Sequence, residues 1–118
     1  MRQGAAVTLR YVGEAQGRRL NREFRGRDYA TNVLTFSYGS AFRGVLSGDI
    51  VICAPLVLRE ARAQGKRTDA HHAHLLVHGL LHLQGLDHED AREAGRMERR
   101  ERSVLGRLGF ADPYRAAR

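Results

Sequence analysis

The stretch from Thr68 to His88 constrains this chain more than any other. Its core reads H-G-L-L-H-L-Q-G-L-D-H from His78 to His88, and all six histidines of the chain fall between residues 71 and 88. His78 and His82 are four apart, which on a helix places both imidazoles on one face, one turn and roughly 6 Å of rise apart. At about 100° per residue, Leu76, Leu80 and Leu83 point away from that face and belong against a sheet. Leu75 and Leu81 flank the histidines and are apolar as well. The pattern therefore predicts a largely buried helix with histidines lining a cleft, and it requires a fold with a sheet for the helix to lie on.

Thr68 or Asp69 can cap this helix, which is expected to run to about Gln84 and stop at Gly85. Gly85 lets the chain turn, so His88 can return towards His78 and His82 as a third ligand. Buried imidazoles without partners are costly, and a shared metal ion removes that cost. Two nitrogens from successive turns can converge on one zinc at about 2.0–2.1 Å, and three protein ligands leave a fourth position for water. The expectation is one zinc ion per chain held by His78, His82 and His88. A His74–His78 pair extends the same face by one turn, but it leaves His88 unexplained. Ordinary hydrogen-bonded histidines are the alternative, and His71 and His72 are expected to be surface or supporting groups. Imidazole also suits nickel and other divalent ions.

The rest of the chain supplies the sheet. Val7–Val12 reads as a strand ended by Gly13, and Glu14–Phe24 has weak helical spacing with Leu20 and Phe24 on one face. Thr31–Tyr38 alternates and is rich in β-formers. Gly44–Cys53 reads as a third strand, with a fourth entertained before it and Gly48 as a bulge or turn. Pro55 and Gly65 bracket a helix over Pro55–Gln64. Glu89 and Asp90 open a last helix that closes near Gly109, before Pro113. Strands come first and helices after. The expected class is α+β, one domain over residues 1–118: a small mixed sheet of about four strands flanked by helices, with the histidine helix central.

Charge narrows the partners. The chain carries a formal net charge of +7, with Lys66 its only lysine, and such a surface favours polyanions: nucleic acid, a ribosome or an acidic membrane. Arg18, Arg19, Arg22, Arg25 and Arg27 crowd one segment, with Glu23 read as their only opposing charge. A solvated basic face, or an arginine-rich codon usage, would look the same. Arg99, Arg100 and Arg102, interleaved with Glu98 and Glu101, read as a general surface. Cys53 is the only cysteine, so no intramolecular disulfide can form, which fits a reducing cytoplasm. No run approaches membrane-spanning length and the N-terminus lacks an apolar signal core, so a cytoplasmic location and no membrane partner are expected.

Zinc peptidases with an H-E-x-x-H helix carry glutamate directly after the first histidine as general base. Here that position is Gly79, which disfavours a zinc peptidase. The glycine also permits close approach of a neighbour or substrate.

At these residues the sequence resembles the YbeY family of bacterial endoribonucleases. HGLLHLQGLDH follows the family's H-G-x-L-H-L-x-G-Y-D-H, with Leu86 in place of tyrosine. LNREFRGRDYATNVLTFS, from Leu20 to Ser37, is similar to the family's L-N-x-x-Y-R-x-K-D segment and the strand after it. GDIVIC from Gly48 matches well, and the closing helix with Met97, Glu98, Leu105, Leu108 and Gly109 more loosely. Family members usually carry a longer segment before the first strand, so part of the first layer is expected to be missing. The resemblance implies a zinc-dependent, single-strand-specific endoribonuclease acting in ribosomal RNA maturation, at the 16S 3′ end, and in ribosome quality control. Its implied partners are ribosomal RNA, the small ribosomal subunit and single-stranded RNA. It carries over His78, His82 and His88 as metal ligands, and Arg25 and His78 as catalytic residues. Asp87 would then orient a ligand or shape the turn. The reading from another class is a ribosome-associated RNA-binding factor with structural zinc. Three histidine ligands argue against it, because structural sites are usually closed by four.

Overall fold

A computed structural model describes residues 4–38, 45–85 and 90–114. The elements run β1 (Gly4–Val12), α1 (Glu14–Arg25), β2 (Val33–Ser37), β3 (Val45–Cys53), α2 (Ala54–Ala63), α3 (Thr68–Leu83) and α4 (Ala91–Arg107). The class is α+β, as expected. The described residues form a three-stranded sheet of order β1-β3-β2, where about four strands were expected. Residues 39–44, the place considered for a further strand, lie outside the described residues. The sheet is mixed: β1 runs parallel to β3 and β2 antiparallel to it.

β3 is central, and its period-2 alternation organises the molecule. Ile50 and Ile52 are fully buried and cluster with Val57 of α2 and Leu75 and Leu83 of α3. Leu76 and Leu80 pack on the same cluster, as the helical spacing predicts. Val51 and Cys53 point to the other face and join Val12 and Leu34, with Leu20 of α1 packed against them. A third cluster joins Val77 and Leu81 of α3 to Met97 and Leu105 of α4. Helix α3 thus lies between the sheet and α4, which explains why it is apolar on two sides. Each fully buried Ile contributes about 1.5–3 kcal/mol relative to an exposed one.

The helix ends follow their local chemistry. Pro55 sits in the first turn of α2, where its missing N–H costs nothing. Gly85 takes φ +98° after α3, a region that β-carbon sterics close to most residues. Asp90 caps α4 by accepting a hydrogen bond from the Glu93 N–H at 2.8 Å. At the start of α3, however, the N-cap is Arg67 and no side chain caps it; neither Thr68 nor Asp69 takes that place.

Gly48 is neither a bulge nor a turn. It lies in an unbroken ladder opposite Val7 and Ser37. A β-carbon there would stand 2.6 Å from the Phe36 carbonyl oxygen and 2.8 Å from Leu83 Cδ2, so glycine is what lets α3 rest on this end of the sheet. Gly48→Ala is expected to cost about 2–3 kcal/mol through overpacking, lowering the melting temperature by about 10 °C. A thermal melt by circular dichroism checks this, and an unchanged midpoint would contradict the packing.

Candidate metal centre

The third side of α3 carries His74, His78 and His82, spaced four apart and all half-buried. Opposite them, α4 contributes Glu101, only 1% exposed. One Glu101 oxygen, Oε2, accepts from His74 Nε2 at 2.5 Å, and Oε1 accepts from His78 Nδ1 at 3.2 Å. The Tyr114 hydroxyl donates to the same carboxylate, 3.0 Å from Oε1 and 2.9 Å from Oε2. Burial pushes this carboxyl up, but the hydrogen bonds from His74 and His78 more than offset it and hold its pKa down at about 2. Burial and the neighbouring Glu101 charge push the Tyr114 phenol up, so it remains a donor.

An ionised carboxylate only accepts, so His78 must hold its proton on Nδ1. In a neutral ring the lone pair is then on Nε2. This is the arrangement that metal-binding histidines adopt, one nitrogen on a carboxylate and the other on the ion. His74 shows its Nε2 to Glu101 instead, which commits that nitrogen and weighs against a His74–His78 pair. His82 lies one turn beyond His78, in the last turn of α3. His88 and Asp87 lie outside the described residues. Among the described residues no group of three His, Cys, Asp or Glu side chains could hold a metal ion. The donor set that is described, two imidazoles one turn apart with one ring anchored to a buried carboxylate, fits zinc chemistry.

The other histidines have separate partners. His71 is buried and its Nε2 lies 2.9 Å from Glu60 Oε1, which also accepts from Asn32 Nδ2 at 3.0 Å. His72 bonds the Tyr11 hydroxyl at 2.6 Å and stacks on its ring. His71 is therefore a tie between α2, α3 and the start of β2 rather than a surface group. Gly79 faces the sheet: its missing β-carbon would sit 3.3 Å from Ile50 and Thr35 side chains. The neighbour that the glycine admits is the protein's own sheet.

Arg25 is exposed in the last turn of α1. Beside it, Phe24 meets Phe36 edge-on with ring centroids 5.2 Å apart. Leu83, next to His82, abuts the Gly48 site beside the Phe36 carbonyl. The C-terminal ends of α1 and α3 thus reach the same end of β2 from opposite faces of the sheet. Asp28 is a second acidic residue in this basic segment: Arg18 grips its carboxylate with Nε at 2.8 Å and Nη2 at 2.9 Å. The closing helix corrects another expectation. Glu101 is buried rather than part of a charged surface, while Arg102 turns outward to Asp112 at 3.2 Å. A signal was present in the sequence, since Glu101 falls midway in the i, i+4 stripe Met97–Glu101–Leu105.

Residues 1–109 match the family described as Endoribonuclease YbeY. The chain is 63% identical to Endoribonuclease YbeY of Bordetella pertussis, over 97% of this chain and 73% of that protein. It is 59% identical to the protein of the same description from Aromatoleum aromaticum, with the same coverage of both chains. The solution structure of TM1509 from Thermotoga maritima superposes with a TM-score of 0.55 at 27% identity, covering 92% of this chain and 77% of that one. No helix among the described residues is long and apolar enough to cross a membrane.

Proposed function

This chain belongs to the YbeY endoribonuclease family, and from that premise we propose that it is a zinc-dependent, single-strand-specific endoribonuclease of ribosomal RNA maturation. Its substrate in this reading is single-stranded ribosomal RNA on the small ribosomal subunit, cut at the 16S 3′ end and in ribosome quality control. The observation that supports a metal-dependent site is the His78 ring, whose Nδ1 is fixed on buried Glu101 at 3.2 Å. His78 and His82, with His88 from beyond Gly85, would hold the zinc. Zinc bound there would supply Lewis-acid polarisation of the scissile phosphate and a water of lowered pKa.

The chain's own groups do the remainder. Arg25 carries a permanent, fork-shaped positive charge that pairs with phosphate oxygens in two parallel hydrogen bonds. In this reading it balances the charge that grows on the phosphoryl group as the bond breaks. The net charge of +7 draws the polyanion to the surface. The peptidase alternative lacks its usual base, because the residue after His78 is glycine, and a side chain there would meet the sheet. An RNA-binding factor with structural zinc would bind RNA without turnover.

Purified protein should cleave single-stranded RNA, lose that activity on chelation and regain it with added zinc. Arg25→Ala should lower kcat about 100-fold, the loss typical of one donor to a developing charge. Cleavage that is indifferent to chelation would refute the zinc reading. RNA binding without cleavage would favour the structural-zinc factor.

A further inference from the structure

We propose that Glu101 is a positioning residue: it fixes the tautomer and ring orientation of His78, and is itself held in place by His74 and by Tyr114 from the C-terminal segment. The inference deepens the proposed function and rests on its assignment of His78 as a ligand.

Three donors meet on one carboxylate that is 1% exposed. None of them is a lysine or arginine. A buried carboxylate held only by imidazole and phenol donors is an expensive arrangement compared with an apolar side chain of similar size. The position itself invites such a side chain, since Met97 and Leu105, one turn to either side, are buried in the apolar cluster. What the carboxylate does that a leucine could not is dictate which nitrogen of His78 carries hydrogen. Outer partners of this kind typically change metal affinity by 10–100-fold.

The two other donors explain why the carboxylate can do this without swinging. His74 approaches Oε2 from the preceding turn of α3. Tyr114 spans both oxygens, and its ring is covered by the Arg102 guanidinium, 5.2 Å from the centroid. Its backbone N–H is tied to Asp112 Oδ1 at 2.9 Å. The carboxylate plane is therefore set from two directions, and His78 Nδ1 meets an oxygen whose position is already fixed.

The test uses the full-length protein with ¹⁵N-labelled histidine and the variants Glu101→Gln and Tyr114→Phe. In the metal-free wild type, long-range ¹H–¹⁵N spectra should show His78 as the Nδ1–H tautomer. In Glu101→Gln, whose amide can present either oxygen or NH₂, His78 should become a mixture. Zinc affinity, measured by competition with a chromophoric chelator, should fall 10–100-fold in Glu101→Gln. Tyr114→Phe keeps the ring and removes one donor, so a loss of a few-fold with an unchanged thermal midpoint is expected. Tyr114→Phe also decides the matter if Glu101→Gln does not fold. A wild-type His78 carrying its proton on Nε2 would overturn the inference, as would a folded Glu101→Gln that binds zinc within twofold of wild type. A wild type that takes up no zinc would instead sink the proposed function, and the tautomer spectra would still judge Glu101.

Discussion

Replacing His82 by alanine is expected to strip zinc from the protein and lower RNA cleavage by at least 100-fold while leaving the fold in place. Zinc bound by a full ligand set is stabilised by about 10–16 kcal/mol, so one ligand of three or four contributes roughly 3–4 kcal/mol. That is about two to three powers of ten in affinity. The scaffold should tolerate the change, because His82 is half-buried at the end of α3 and is not part of the apolar clusters. Alanine is also the best helix former. Zinc content after desalting, a cleavage assay and a melt of the metal-free protein give three independent readings. Wild-type cleavage by a zinc-free His82→Ala protein would remove the metal from the mechanism.

Gly79→Glu should have the largest effect on stability. On paper the change creates H-E-x-x-H, the signature of a zinc peptidase. In this fold it drives a carboxylate between α3 and the sheet, from a β-carbon already 3.3 Å from Ile50 Cδ1, Ile50 Cγ2 and Thr35 Cγ2. Overpacking and an unpartnered buried charge act together. A cost of about 4 kcal/mol or more is the rare class of mutation, against a total of about 5–15 kcal/mol for a small domain. The variant is expected in the insoluble fraction, or unfolded by circular dichroism. Gly79→Ala should stay within about 1 kcal/mol of wild type, since the helix-propensity gain and the tight contact oppose each other. A soluble Gly79→Glu with the wild-type midpoint would mean that α3 does not rest on β2 and β3.

These two positions show what the amino-acid order makes legible. The histidine helix, its end at Gly85 and its apolar faces all follow from spacing, because a helix maps sequence separation directly onto angle. Pro55 and Gly65 mark α2 for the same local reasons. For Glu101 the local chemistry outweighs the signal of its place in the Met97–Glu101–Leu105 stripe. In Arg99-Arg100-Glu101-Arg102 a glutamate reads as one partner in a solvated charge pattern, and only the docking of α4 on α3 makes it the acceptor for two imidazoles. Gly48 follows the same logic: a glycine in a strand pattern signals a bulge or a close approach equally well, and the choice is made by Leu83, far along the chain. The pairing of Asp28 with Arg18 is not legible in the sequence, because their meeting depends on how the chain leaves α1.

The parallel pairing of β1 with β3 also bears on how the molecule is made. Partners such as Ser37 and Gly48 are near neighbours along the polypeptide, whereas Thr8 and Asp49 are distant. Closing the larger loop is entropically harder and therefore slower. During synthesis from the N-terminus, β1 must wait for the β2–β3 hairpin before it has an edge to join, and that hairpin emerges before any histidine does. The imidazoles would then arrive one after another onto a sheet already assembled. If the proposed zinc site is right, ion capture would be a closing event in the birth of the protein rather than the seed of it.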